Sequence, residues 1–182
     1  HSGYDAGIDI PPTKGRIMLD RNNAALVVID YQEKLLPKIH DAEAVTDQAI
    51  KLIRFARELD IPILWTEQYP KGLGHTVGPV AAELQGVTPI EKTAFGCLGD
   101  PTFAATLDNT CRKQLLLTGI EAHICVMQTA LLALDNNYDV FIPRDAVGSR
   151  FPSEYNAGLN RLERAGAEIV TTEMAIFEML RE

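Results

Sequence analysis

Leu115-Leu116-Leu117-Thr118-Gly119-Ile120-Glu121-Ala122-His123-Ile124-Cys125-Val126 is the stretch from which the fold is read. A continuous apolar run ends at a glycine, and a helical pattern opens a few residues later with a cysteine in its first turn. An unbroken apolar run suits a strand covered on both faces, which is the habit of a parallel sheet. At the helix start, unpaired backbone N–H groups and the positive end of the helix dipole favour a thiolate over a thiol. The plainer reading is a small buried residue at a strand–helix junction, because free cysteine is often buried and inert. Residues elsewhere in the chain separate the two readings.

Working outward, apolar runs alternate with helical patterns along the whole sequence. Strands are expected at 24–29, 61–66, 87–91, 114–118, 140–143 and 168–171. Helices are expected at 43–58, where Ala44, Ile50, Ile53 and Phe55 set the period, and at 76–84, 101–107, 124–136, 153–165 and 172–181. Asp100 and Ser153 are the expected caps, and Pro101 suits a first helical turn. Strict alternation implies right-handed crossovers and an α/β fold, with a parallel sheet covered by helices on both faces. The longest irregular piece, 68–80, is glycine- and proline-rich, and a loop of that length in a compact domain is more often functional than idle.

The 182 residues suit a single domain. Residues 1–15 read as an extended arm, and the chain does not open with methionine, which fits an arm partly of non-native origin. The domain is expected over 16–182. A hydrophobic content of 46% with 23% charged residues is that of an ordinary globular protein. No apolar run is long enough to span a bilayer and no signal-peptide pattern opens the chain, so no membrane partner and a cytoplasmic location are expected. A formal net charge of −8 without any Lys/Arg cluster argues against nucleic acid. Three cysteines without tight spacing do not build a disulfide framework.

In an open α/β sheet, ligands bind beyond the carboxyl ends of the strands where the strand order reverses. With an order of 3-2-1-4-5-6, that crevice lies between the first strand, ending in Asp30, and the fourth, running on to Cys125. Asp30 closes a buried apolar run, a poor place for a free carboxylate unless it serves as a base, and a cap is its plainer reading. Lys92 is either a solvated lysine or a cation that helps stabilise the thiolate. His123 lies two residues from Cys125 and does not face it on a helix, so a Cys–His couple is not expected there. The scattered histidines make no zinc pattern, and neither a G-x-G-x-x-G after the first strand nor a Walker A sequence is present. Cys97 and Cys111 read as structural.

Four blocks together resemble the isochorismatase-like cysteine hydrolase family: Val28-Ile29-Asp30-Tyr31-Gln32, Glu91-Lys92-Thr93-Ala94-Phe95, Gly119-Ile120-Glu121-Ala122-His123-Ile124-Cys125-Val126, and Arg144-Asp145-Ala146-Val147-Gly148-Ser149-Arg150. The resemblance covers roughly residues 19–178. It implies a three-layer α-β-α sandwich with a six-stranded parallel sheet in the Rossmann-like order 3-2-1-4-5-6, and a triad of Asp30, Lys92 and Cys125. It also implies a cis peptide between Ile120 and Glu121, with the backbone N–H groups of Glu121 and Cys125 as an oxyanion hole. Nicotinamidases of this family bind a metal through an aspartate and histidines after the second strand. Here Thr66-Glu67-Gln68-Tyr69-Pro70 stands in that place, so no metal and no cofactor are expected. The 66–74 segment resembles the isochorismatase-domain-containing subgroup.

The expected chemistry is attack of Cys125 on a small-molecule amide or ureide, with Asp30 as base and a thioester intermediate. Tyr69, Phe95, Ile120, His123 and Phe151 are expected to line the pocket, each with a core role as its plainer reading. Arg150 and Asp145 are expected to pair. Apolar residues on several sides of the 124–136 and 172–181 helices imply a homo-oligomer, a dimer or a multiple of dimers. The alternatives are vinyl ether hydrolysis, or a non-catalytic binding or assembly protein, against which the intact trio of side chains argues. A receiver-like domain lacks its phospho-acceptor aspartate after the third strand.

Overall fold

The computed structural model describes residues 14–181, so nearly all of the expected arm lies outside the described residues. The strands are β1 (Ala24–Ile29), β2 (Ile63–Gln68), β3 (Ile90–Lys92), β4 (Gln114–Ile120), β5 (Asp139–Pro143), β6 (Val147–Gly148) and β7 (Glu168–Val170). Between and after them lie α1 (Ala42–Glu58), α2 (Pro70–Leu73), α3 (Gly78–Ala81), α4 (Pro101–Asn109), α5 (Met127–Asp135), α6 (Pro152–Ala165) and α7 (Thr172–Leu180). All strand pairs are parallel, in the order β3-β2-β1-β4-β5-β7. That is the expected order, with β7 as its sixth member.

The seventh strand, β6, is an addition. Only Gln114–Leu116 of β4 pair with β5, so the end of β4 runs past its neighbour, and Val147–Gly148 pair with Gly119 and Ile120 there. Buried backbone N–H and C=O groups need partners, and this short strand supplies them.

Alternate residues of each strand face opposite layers. Leu26, Val28, Leu116, Ile120 and Phe141 pack with α1 and α7 through residues such as Leu52, Ile53, Ala175 and Met179. Ala25, Val27, Ile29, Leu115 and Leu117 pack with α4, α5 and α6 through Phe103, Leu107, Ala130, Ala133 and Leu162. Ile120 therefore belongs to the core beneath the sheet, on the face away from Cys125, and not to a pocket lining. Its parity along β4 decides this.

Asp100 caps α4 as expected, its carboxylate accepting from the Phe103 N–H at 2.9 Å. Ser153 does not cap α6: the helix already starts at Pro152, whose missing N–H costs nothing in a first turn. Thr171, expected in the last strand, instead caps α7 by accepting from Met174 N–H. The expected strand at 87–91 is shorter and later, because Pro89 has no N–H for the ladder and pairing begins at Ile90. The irregular 68–80 piece contains α2 and runs into α3.

Candidate active site

Four strand ends converge at the carboxyl edge of the sheet. Ile29 is in register with Thr66 of β2 and with Gly119 of β4, and Gln68 is in register with Lys92. Asp30 follows β1 directly, in a left-handed backbone conformation (φ 59°) that aspartate tolerates better than most residues. Cys125 lies in a single π-helical turn, Ala122–Val126, that leads into α5. Such turns are rare and frequently found at functional sites. The Ile120–Glu121 peptide preceding it is cis.

Asp30, Lys92 and Cys125 are 0%, 2% and 6% exposed. Lys92 Nζ donates to Asp30 Oδ2 at 3.0 Å and lies 3.8 Å from Cys125 Sγ. The same ammonium donates to Gln68 Oε1 at 2.7 Å, to the Phe95 carbonyl at 3.0 Å and to the Ala94 carbonyl at 3.1 Å. Asp30 Oδ1 accepts from the Thr66 hydroxyl at 2.9 Å. Both carboxylate oxygens are thus occupied, and the solvated lysine of the plainer reading is excluded.

Burial acts most strongly on Lys92, against its charge. The negative charge of Asp30, first among the groups around it, opposes this, and the Lys92 pKa stands above the ordinary lysine value. Burial also pushes the Cys125 thiol well up, and the charge of Asp30 pushes it further, while Lys92 works in the opposite direction. Burial and the carboxylate thus favour the thiol form of Cys125, and Lys92 favours the thiolate. The depth of the site and the neighbouring carboxylate act against the helix-start argument for a preformed thiolate.

Tyr69 and Phe95 are half-exposed aromatics next to this centre, and Phe151, equally exposed, lies against the Arg150 guanidinium. The Tyr69 N–H bonds to the Lys92 carbonyl, and the Phe95 carbonyl holds Lys92 Nζ. His123 Nδ1 lies 2.8 Å from Ser149 Oγ. Arg150 does not pair with Asp145. Its N–H and Nε donate to the buried Glu121 carboxylate at 3.0–3.1 Å, while Asp145 Oδ1 accepts from the Thr172 N–H and hydroxyl. The extended β6 lies between residues 145 and 150 and carries them apart.

A cleft of about 360 Å³ opens beside Tyr69 and Lys92. A second cavity of about 390 Å³, between His40, Arg144, Ser149 and Tyr155, touches none of the three central residues. Among the described residues no three His, Cys, Asp or Glu side chains are grouped so as to hold a metal ion.

Sequence reasoning missed Thr66, Gln32, Gln68 and Cys97. Cys97 is not remote: its sulfur lies 3.9 Å from the same Thr66 hydroxyl that holds Asp30, and burial, with Asp30 adding to it, pushes its thiol up to about 11. The available signal was polarity inside apolar runs, since a buried glutamine or threonine at a strand end must have partners.

The sequence matches the isochorismatase domain family over residues 24–174. Isochorismatase family protein 1B of Dictyostelium discoideum is 39% identical, over 87% of this chain and 79% of that protein. A structure described as the MAR1 ribonuclease of Caenorhabditis elegans is 35% identical, with a TM-score of 0.86 over 91% of this chain and 85% of the other. The YcaC gene product of Escherichia coli, described as an octameric hydrolase of unknown specificity, is 25% identical, with a TM-score of 0.87 over 91% of this chain and 83% of the other. With its sheet order and the match over most of its length, the chain belongs to the isochorismatase-like hydrolase family.

Proposed function

We propose that the protein is a cysteine hydrolase that cleaves a C–N bond of a small-molecule amide or ureide without a metal or cofactor, using Asp30, Lys92 and Cys125. The observation that carries this reading is a single buried ammonium, Lys92 Nζ, 3.0 Å from a carboxylate and 3.8 Å from a thiol. A base, a cation and a nucleophile held together away from water are what acyl transfer through sulfur needs.

As the Cys125 sulfur attacks the carbonyl carbon, its proton passes to Asp30, and Lys92 offsets the negative charge transferred to the sulfur. The oxyanion is received by the N–H groups of Glu121 and Cys125; one such donor is typically worth about 3 kcal/mol in the transition state. The C–N bond breaks, and the amine departs with the proton from Asp30. Water then attacks the thioester, giving its proton to Asp30, and the acid is released as Cys125 regains its hydrogen. Tyr69, Phe95, His123 and Phe151 line the mouth through which the substrate enters. The protein works as a homo-oligomer built from dimers, as its exposed apolar side chains and the octameric YcaC relative suggest. RNA is the weaker substrate despite the name of the C. elegans relative, because the net charge is −8.

An amide and ureide library, assayed for amine or ammonia release with Cys125→Ala as control, tests the reading. Release should depend wholly on Cys125, and quenched turnovers should show an acyl group on that residue by mass spectrometry. Hydrolysis that survives Cys125→Ala, or activity confined to vinyl ethers, would overturn it.

A further inference from the structure

Lys92 Nζ has three N–H bonds to give and four oxygen acceptors within 3.1 Å, with a sulfur beyond them. Its shortest bond, 2.7 Å, goes to a side chain on the neighbouring strand, Gln68. That carboxamide has one usable orientation. Its Nε2 donates to the Thr93 carbonyl at 2.8 Å, so its oxygen must face the ammonium, and a flip would set an NH2 group against a cation. Gln68 is held in turn by Gln32, two residues beyond Asp30. The Gln32 Oε1 accepts from the Gln68 N–H at 2.6 Å, and its Nε2 donates to the Gln68 and Gly74 carbonyls, both at 2.8 Å. Gln32, Gln68 and Lys92 are all buried.

We propose that Gln68, clamped by Gln32, is a positioning residue that holds Lys92 charged and placed between Asp30 and Cys125, and so sets the pH range in which Cys125 can act as a nucleophile. This rests on the cysteine hydrolase reading of the same site. The two carbonyls of Ala94 and Phe95 belong to the backbone of one turn, whereas Gln68 is the side-chain acceptor that pulls the ammonium from the β2 side. An amide contributes an acceptor without charge. It thereby leaves Asp30 as the single carboxylate bonded to the ammonium, and the pair stays neutral overall. The ionisable groups facing Lys92 are Asp30 from the end of β1, Cys125 from the π-turn and Cys97 after β3. Lys71, Glu91 and Asp100 line the cleft beside it.

The test follows alkylation of Cys125 by iodoacetamide, residue by residue, by mass spectrometry across the pH range. In that reaction a C–S bond forms, the C–I bond breaks, iodide leaves, and the thiol proton passes through Asp30 to solvent. Exposed Cys111 is the internal standard in the same sample. Gln68→Glu adds a second carboxylate to the ammonium, and Gln68→Met removes the acceptor. In both, the Cys125 rate at neutral pH should fall about tenfold, the equivalent of an upward move of about one pH unit in its profile, while Cys111 is unchanged. Folded variants whose Cys125 profiles coincide with the wild type would overturn the proposal. Should either variant fail to fold, Gln68→Asn, which keeps a carboxamide but falls short of the ammonium, decides: its Cys125 profile should move in the same direction, and a profile that coincides with the wild type overturns the proposal. Unshifted profiles together with Cys125-dependent hydrolysis count against Gln68 alone, whereas hydrolysis that survives Cys125→Ala counts against the hydrolase reading.

Discussion

The Asp30–Lys92 pair shows how differently residues of one site weigh on stability. Both side chains are fully enclosed and 3.0 Å apart. Removing one member of such a pair leaves an uncompensated buried charge, at a cost of about 3–5 kcal/mol. Lys92→Met should therefore lower the unfolding free energy in urea by that order. The double variant Asp30→Asn/Lys92→Met should recover part of the loss, because neither charge remains. Cys125→Ala leaves the pair intact and should unfold close to the wild type, so its loss of turnover can be read as chemistry. A Lys92→Met protein as stable as the wild type would mean that the ion pair is not buried in solution.

Among the elements, the β1–β4 contact has the least room for change. A Cβ placed on Gly119 would lie 2.5 Å from both the Cβ and the carbonyl oxygen of Ile29, its register partner. Only glycine permits this approach, and the carboxylate that follows β1 and the turn that bears Cys125 lie within a few residues of it. Overpacking typically costs about 1–3 kcal/mol, so Gly119→Ala should lower the urea midpoint accordingly. It should also reduce turnover by more than the loss of folded protein explains, since the forced separation falls where Asp30 and Cys125 must meet. Thermal melts and rates measured on the same sample separate the two effects. Elements with long periodicity, such as α1 and β1, were legible to within a residue. The two-residue β6 has no periodicity to read, and the π-turn differs from an ordinary helix start only in its hydrogen bonds, which composition does not record.

At the scale of the molecule, apolar side chains also remain uncovered on α7 and α5. Met174 and Phe177 lie three apart on one face of α7, and Phe177 is 64% exposed. Leu132 on α5 stands near the 95–97 turn, where its side chain approaches Gly96. Exposed apolar surface of this kind marks sites of association. Light scattering at micromolar concentration should give a mass that is an even multiple of 20.0 kDa, and a lone 20.0 kDa species would contradict the oligomer. Among the described residues no helix is long and apolar enough to cross a membrane, so the uncovered faces are not those of a spanning helix.

The amino-acid order alone determined the alternation of strands and helices, the three-layer class, and the presence of a thiol, a carboxylate and an ammonium near strand ends. These follow from apolar period and turn residues, which act over a few neighbours. That Lys92 reaches Asp30 from 62 positions away, that Gln68 turns its oxygen toward that ammonium, and that Arg150 chooses Glu121 over Asp145 were decided by the tertiary structure. Such pairings depend on strand register and on which groups burial leaves in need of a partner, and neither quantity exists until the sheet has assembled.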